Sequence, residues 1–327
     1  MTSKGPLLTA HADSNPLVAA LREIGQEVIQ CDYHQFESLL PGCIGYYGNL
    51  FSEIKRPSTF VAMRRALTRQ SIPYIFWNRD APWHVGIKPH YRYLLQAMKP
   101  VDLYLAHSIQ DAGWFTRGEP HYFPNAARRS YCQATLSPAF AKPELWRYDI
   151  SFFGAIGNEK RTNCLHRKIF LDTVRSHLEQ RGIVTRWRII DTIHEPLTEV
   201  QQLELIRTTR INLNFGAMCD LPGNPSWGMP ERVFGIPAAG GFLLTDWRES
   251  IPDTFPDDSC DHFRTPSECV EKIIHYLGNP EIMCARGKRL HTEVLAHNTY
   301  EVRAKQLMDL LNRFSRVKHV SDKTAEK

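Results

Sequence analysis

The sequence predicts an α/β protein made of two doubly wound halves, and three observations predict it. Short, almost continuously apolar runs alternate with helical patterns; the alternation dissolves between Tyr122 and Arg147; and it then restarts. Strands that are apolar throughout belong to parallel sheets covered by helices on both faces. At 327 residues the chain is also long for one domain and natural for two of about 150.

In the first half, "GPLLTA" reads as a strand and "NPLVAALREIGQE" as a helix, with Leu17, Leu21 and Ile24 at helical spacing and Pro16 near its start. "EVIQCDY" and "CIGYYGNL" are strand candidates. "RPSTFVAMRRALTRQ" is a helix with Phe60, Met63 and Leu67 on one face. "IPYIFWN", "KPHYRYLLQAMK" and "VDLYLAHS" continue as strand, helix, strand. The connection that follows carries Pro124, Pro138 and Pro143 and no clear period.

The second half opens with "YDISFFGAIG", a strand entering a glycine-bearing turn, and a helix that ends at Gly182. "TRWRIID", "EVQQLELIRTT" and "RINLNFG" extend the alternation. "PERVFGIPAAGGFLLTD" (230–246) then reads as helix and strand, and two helical patterns close the chain. The expected domains are 1–130 and 131–300. A C-terminal helix and tail, 301–327, is expected to pack back on the first domain. Ligands of such sheets sit at the carboxyl ends of strands, so a second site is expected in a cleft between the halves.

Composition narrows the class. The apolar content of 43% suits a globular core. No run approaches the roughly 20 apolar residues of a membrane helix, and the first residues do not form a secretory signal, so a cytoplasmic protein is expected. Eight scattered cysteines without a C-x-x-C pair read as free thiols. A net charge of +5 suits an anionic small ligand, and no basic block is strong enough to argue nucleic-acid binding, although a nucleic-acid acceptor stays open.

Two stretches could hold an anion. In "FFGAIGNEKR", Gly154 and Gly157 allow close backbone approach, and Asn158, Lys160 and Arg161 supply donors at a helix start. The stretch is neither a dinucleotide fingerprint nor a P-loop, and a plain strand–helix turn is the alternative. In 230–246, Pro230 and Glu231 suit a helix start, and Arg232 there is better accommodated with a phosphate or carboxylate partner. Ala238, Ala239, Gly240 and Gly241 either admit a ligand or pack the segment on its own sheet. For a base, Asp80 and His84 lie after a strong strand, and His11 after the first one. His107 sits at another strand end. Trp77, Trp83, Trp114 and Trp227 could stack on a sugar or belong to the core. The residues of a zinc-protease or hydrolase elbow are missing.

The pattern R-V-F, A-x-G-G, then an apolar strand ending in T-D, with "FRTPSECVEKIIHYLGNPE", "NTYEVRAKQLM", "FFGAIGNEKR" and "FWNRDAPWH", resembles the spore-maturation CgeB-type glycosyltransferases of the GT-B superfamily. The likeness spans most of residues 70–310. It implies an α/β GT-B fold of two Rossmann-like doubly wound domains facing a central cleft, and an enzyme that moves a sugar from a nucleotide sugar (UDP-, GDP- or dTDP-linked) to a glycan, protein or other acceptor.

By the resemblance, Gly154, Asn158, Lys160, Arg161, Arg232 and the Gly240–Gly241 backbone would lie near the diphosphate. The family's acid after R-V-F, usually assigned to the ribose, is Gly235 here, and Trp227 stands where retaining relatives have an earlier glutamate. Glu231 or Asp246 is then expected to take the ribose, and inversion is favoured. No Asp-x-Asp triplet occurs, so no metal or other cofactor is expected. A nucleotide-sugar epimerase, or a degenerate GT-B assembly protein, are the alternatives.

Overall fold

The computed structural model describes residues 5–32, 35–80, 89–109, 115–133, 143–157, 162–217, 220 and 225–325. The chain divides into two compact units, 1–124 with 300–327, and 125–299. Both are α/β.

In the first unit the order is β1 (Leu7–Thr9), α1 (Pro16–Glu23), β2 (Val28–Gln30), α2 (Phe36–Leu39), β3 (Gly45–Tyr47), α3 (Leu50–Glu53), α4 (Pro57–Arg69), β4 (Tyr74–Asn78), α5 (Pro89–Met98), β5 (Leu103–Ala106) and β6 (His121–Tyr122). The strands form one parallel sheet in the order β2-β1-β3-β4-β5-β6. Because the order reverses at β1, the chain leaves β1 and β3 toward opposite faces, which opens a crevice at their carboxyl ends. Local chemistry starts α1 where the sequence places it: the Asn15 side chain accepts the amides of Leu17 and Val18 at 3.0 and 3.3 Å, ahead of Pro16 at the first turn. The core is aromatic, with Tyr46, Tyr74, Tyr104, Phe60 and Phe115 all buried.

The second unit contains α6 (Arg129–Cys132), β7 (Tyr148–Gly154), α7 (Thr162–Gln180), β8 (Trp187–Asp191), α8 (Glu199–Arg207), β9 (Thr209–Asn214), α9 (Arg232–Ala238), β10 (Leu243–Asp246), α10 (Ile251–Thr254), β11 (His262–Phe263), α11 (Pro266–Gly278) and α12 (Pro280–His297). Its parallel sheet has the order β11-β10-β9-β7-β8, so the reversal falls between β7 and β9. The final helix α13 (Tyr300–Ala325) belongs to the first unit, where it packs on α1.

The period-2 alternation of strand side chains gives the second sheet two distinct faces. Ile150 and Phe152 of β7, Ile211 and Leu213 of β9, and Leu244 of β10 pack with Phe170 and Leu171 of α7 and Val270 and Ile273 of α11. Phe153 and Leu243 pack on the other face with Leu205 and Ile206 of α8 and Val233 and Ile236 of α9. On that second face β9 contributes Asn212 and Asn214, both buried, so a polar seam runs under α9.

The stretch 230–246 resolves by position. Gly240 and Gly241 follow the carboxyl end of α9 and precede β10, which puts them at the amino ends of the strands. Their amides donate to Pro237 O at 2.9 Å and Ile236 O at 3.0 Å, and Gly240 has φ +82°, so the pair is a helix C-cap. A Cβ on Gly241 would stand 2.4 Å from Ile206 Cγ2 and 2.9 Å from Asn212 Nδ2. The small residues therefore serve packing and helix termination, not a ligand, because ligands of such a sheet lie at the other end.

Candidate functional site

The carboxyl edge of the second sheet gathers three arginines and two aspartates. Arg232 opens α9 and turns its guanidinium back to the reversal point, where Nε donates to Asn214 Oδ1 at 3.1 Å. Gly154, at the end of β7, makes the room: a Cβ there would stand 2.7 Å from Arg232 Nη1. The guanidinium lies over the rings of Phe152 and Phe153, at 5.5 and 6.0 Å from their centroids. Its Nη2 is enclosed and makes no hydrogen bond among the described residues. Burial first, and then the like charges of Arg167 and Arg248, lower its pKa to about 9, against the opposing pull of Asp246. It remains a cation at neutral pH with an unspent donor.

The neighbouring charges are already matched. Arg248, with no side-chain exposure, donates from Nη1 to Asp220 Oδ1 at 2.7 Å and from Nη2 to Asp220 Oδ2 at 2.7 Å and Asp246 Oδ2 at 2.6 Å. Burial would raise the pKa of Asp220, but the hydrogen bonds and charge of Arg248 outweigh it and hold the carboxyl below its usual range. Asp246 also accepts from Asn214 Nδ2 at 3.2 Å and from the Gly216 amide at 3.2 Å. Arg167, buried in α7, donates to the carbonyls of Ala155, Phe215 and Gly216 at 3.2, 3.1 and 2.9 Å and so ties the loops after β7 and β9 together. Three guanidiniums thus face two carboxylates, and the excess positive charge falls on Arg232.

Beside Arg232, on the face of α8 and α9, a cavity of about 230 Å³ is lined by Arg128, Tyr131, Phe153, Glu199, Gln202 and Glu231, with Gly235 in its floor. Glu231 is ion-paired with Arg128, which also reaches Glu199 at 3.4 Å. The Tyr131 hydroxyl pairs with Gln202, and burial pushes its pKa up to about 12. The Tyr131 ring covers Gly235: a Cβ there would meet ring carbons at 3.2 and 3.3 Å. An aromatic ring thus fills the space above the position where the resemblance expects an acid. Arg128, Tyr131 and Gln202 escape sequence reading because the first two belong to the short helix α6 and its N-cap and the third to α8, with no motif of their own.

The other expected donor contacts fare unequally. Gly157 lies against Asp191 and His194, and a Cβ there would stand 2.0 Å from Asp191 Oδ2. The Asp191 carboxylate accepts the amides of Ile156 at 3.1 Å and Ile193 at 3.2 Å and pairs with His194, so this turn spends donors on its own strand end. Asn158, Lys160 and Arg161 lie outside the described residues.

In the first unit, His11 sits at the reversal point. Its Nε2 is 3.2 Å from Gly48 O and its ring lies on Tyr47 at 4.3 Å. A carbonyl only accepts, so Nε2 carries the proton and Nδ1 keeps its lone pair. Burial, and secondarily the charge of Arg79, lower its pKa although the Gly48 hydrogen bond raises it. Asp80 is exposed, with its amide donating to Asn78 Oδ1 at 3.1 Å. His84 lies outside the described residues, as do Trp83 and Trp114. His107 is 1% exposed and Trp77 4%, with the Trp77 indole donating to Phe123 O at 3.0 Å, so both are core.

Residues 161–309 match a glycosyl transferase-like family. No curated protein matches the sequence significantly. Among solved structures, the chain is similar to sucrose-phosphate synthase from Thermosynechococcus elongatus, at 11% identity and TM-score 0.59, over 96% of this chain and 100% of that one. It is similar to HepE of Anabaena, solved in complex with UDP and glucose, at 8% identity and TM-score 0.58, over 94% and 99%. It is also similar to α,α-trehalose 6-phosphate synthase from Burkholderia multivorans, at 11% identity and TM-score 0.56, over 89% and 74%. The fold is GT-B, and the family match makes the chain a glycosyltransferase-type enzyme.

Proposed function

We propose that this glycosyltransferase-type chain takes a nucleoside-diphosphate sugar as donor, of the CgeB-like kind, and transfers its sugar to an acceptor hydroxyl with inversion and without a metal. The observation that carries the reading is Arg232, a buried guanidinium with an unspent donor at the reversal point of the second sheet. A diphosphate is the ligand that would satisfy it: the anion offsets the repulsion from Arg167 and Arg248 and takes up the free N–H groups. The nucleoside would fill the adjoining cavity, where Glu231 and Gln202 are the groups able to meet ribose hydroxyls, and Tyr131 stands in place of the missing acid. HepE is solved with UDP and with UDP-glucose, which supports a nucleotide-sugar donor for the fold.

For the base we favour His11 over Asp80. A partly buried imidazole with its pKa lowered is neutral at pH 7, and Nδ1 has a lone pair for the acceptor proton. The acceptor oxygen then forms its bond to the anomeric carbon as the bond to the diphosphate oxygen breaks, and the charge left on the diphosphate is held by Arg232.

The test is calorimetric titration of UDP, GDP and dTDP into the wild type and Arg232→Ala. One nucleotide should bind the wild type, and the variant should lose at least about 30-fold in affinity, the lower end of what truncating one member of a buried charge pair costs. Unchanged affinity in a folded variant would sink the assignment. Transfer that survives a chelator, with the product anomer inverted by NMR, tests the remaining two terms.

A further inference from the structure

A second cavity, of about 440 Å³, lies on the opposite face of the second sheet, toward α7 and α11. Its volume is in the range of small-molecule sites. Its wall is aromatic: Phe170 stacks on Phe215 at 3.8 Å and 9°, and on Phe263 at 5.3 Å and 7°. Near-parallel rings, of which Phe215 is only partly buried, favour a further flat or CH-faced ring beside them. Ile169, 54% exposed on α7, and the partly buried Trp247 continue the apolar lining.

Charge at the mouth selects among such rings. Arg264 lies over Trp247, its Cζ 4.0 Å from the ring centroid, and makes no ion pair among the described residues. His166, exposed on α7, stands edge-on to Phe215 at 5.3 Å. The two carboxylates in the wall, Asp220 and Asp246, are already taken by Arg248. The cavity therefore presents an apolar ring slot with an unmatched cation at its rim.

We propose that this cavity is a second ligand site, separate from the donor site, for a ring-bearing anion: an aryl or similarly flat apolar ring carrying a phosphate or carboxylate. The ring enters the phenylalanine stack and the anion meets Arg264. The two cavities have no lining residue in common: Phe153 lines the one beside Arg232, and Phe170, Phe215 and Phe263 line the other.

The proposal does not depend on the donor reading, and its test keeps them apart. 1-Naphthyl phosphate is titrated into the full chain with and without saturating UDP, with inorganic phosphate and 1-naphthol as the two half-probes. One equivalent of naphthyl phosphate should bind whether or not UDP is present, more tightly than either half-probe. Arg264→Gln, at an exposed position that leaves the core intact, should weaken it about tenfold, the loss of one charge-assisted contact, and Arg232→Ala should leave it unchanged. The Trp247 component of the fluorescence, identified by Trp247→Phe, should respond to the probe. Absence of binding, equal binding of 1-naphthol with no effect of Arg264→Gln, or loss of binding in Arg232→Ala would each overturn the proposal. A failure of UDP to bind would leave it standing.

Discussion

Three glycines near the second sheet look alike in the sequence and do different things. Gly154 leaves space for a functional side chain. Replacing it by Ala sets a Cβ 2.7 Å from the far end of Arg232, which can swing aside, so the fold should survive while nucleoside diphosphate affinity falls about tenfold. Gly241 leaves space for the packing of Ile206 and Asn212. Gly241→Ala should cost about 1–3 kcal/mol in denaturant unfolding, as overpacking does, with nucleotide affinity unchanged in the folded fraction. Reduced affinity there would return the A-x-G-G motif to the ligand. Gly235 leaves space for the Tyr131 ring, and the ring edge at 3.2 Å has to yield a few tenths of an ångström to a methyl group. Reading such residues from sequence stops at "small", because which neighbour uses the space is decided by another element.

At the scale of elements, the loops after β7, β9 and β10 are held by Arg167 and Arg248, each with several partners on loops distant in sequence. Arg248→Met keeps the volume but leaves Asp220 and Asp246 buried without a cation. It should destabilise the second unit by about 3–5 kcal/mol, measured by urea unfolding. The depressed pKa of Asp220 sets the pH direction. Its contribution is complete above the unfolded carboxyl pKa and is lost as pH falls through the folded value, so the wild type should lose its advantage over the variant in acid. The strand–helix order here was legible because apolar runs and helical periods are local signals. The arginine ladder was not, since neither Arg167 nor Arg248 lies in a recognisable motif.

At the scale of the whole molecule, the chain ends in the unit in which it began. Ala304, Leu307 and Leu311 of α13 are buried, and α13 packs on α1. Leu307→Ala should cost about 2–5 kcal/mol as a core truncation, and should lower the melting of the first unit without shifting that of the second. A pH signature marks the same unit. Glu53 is 1% exposed and accepts from Tyr46, Tyr74 and the Asn49 amide, yet burial outweighs those bonds and raises its pKa. A raised carboxyl pKa stabilises the fold below the unfolded value, and that contribution is lost as pH rises toward the folded one. The melting temperature of Glu53→Gln should therefore gain on the wild type as pH rises from about 4.5, near the unfolded glutamate pKa. A constant difference across pH would show that Glu53 does not titrate in this way.

The sequence by itself determined the two parallel sheets, the helix that starts at Asn15, and the arginine at the start of α9, because strand burial, capping and helical period are written in neighbouring residues. Only the tertiary structure decided what those residues face. It set Gly240 and Gly241 at the amino ends of the strands, stood Tyr131 over Gly235, left Asp80 exposed and put His11 at a reversal point. The physical reason is that each of these depends on the order of strands in a sheet, and strand order is fixed by contacts between segments far apart in the chain.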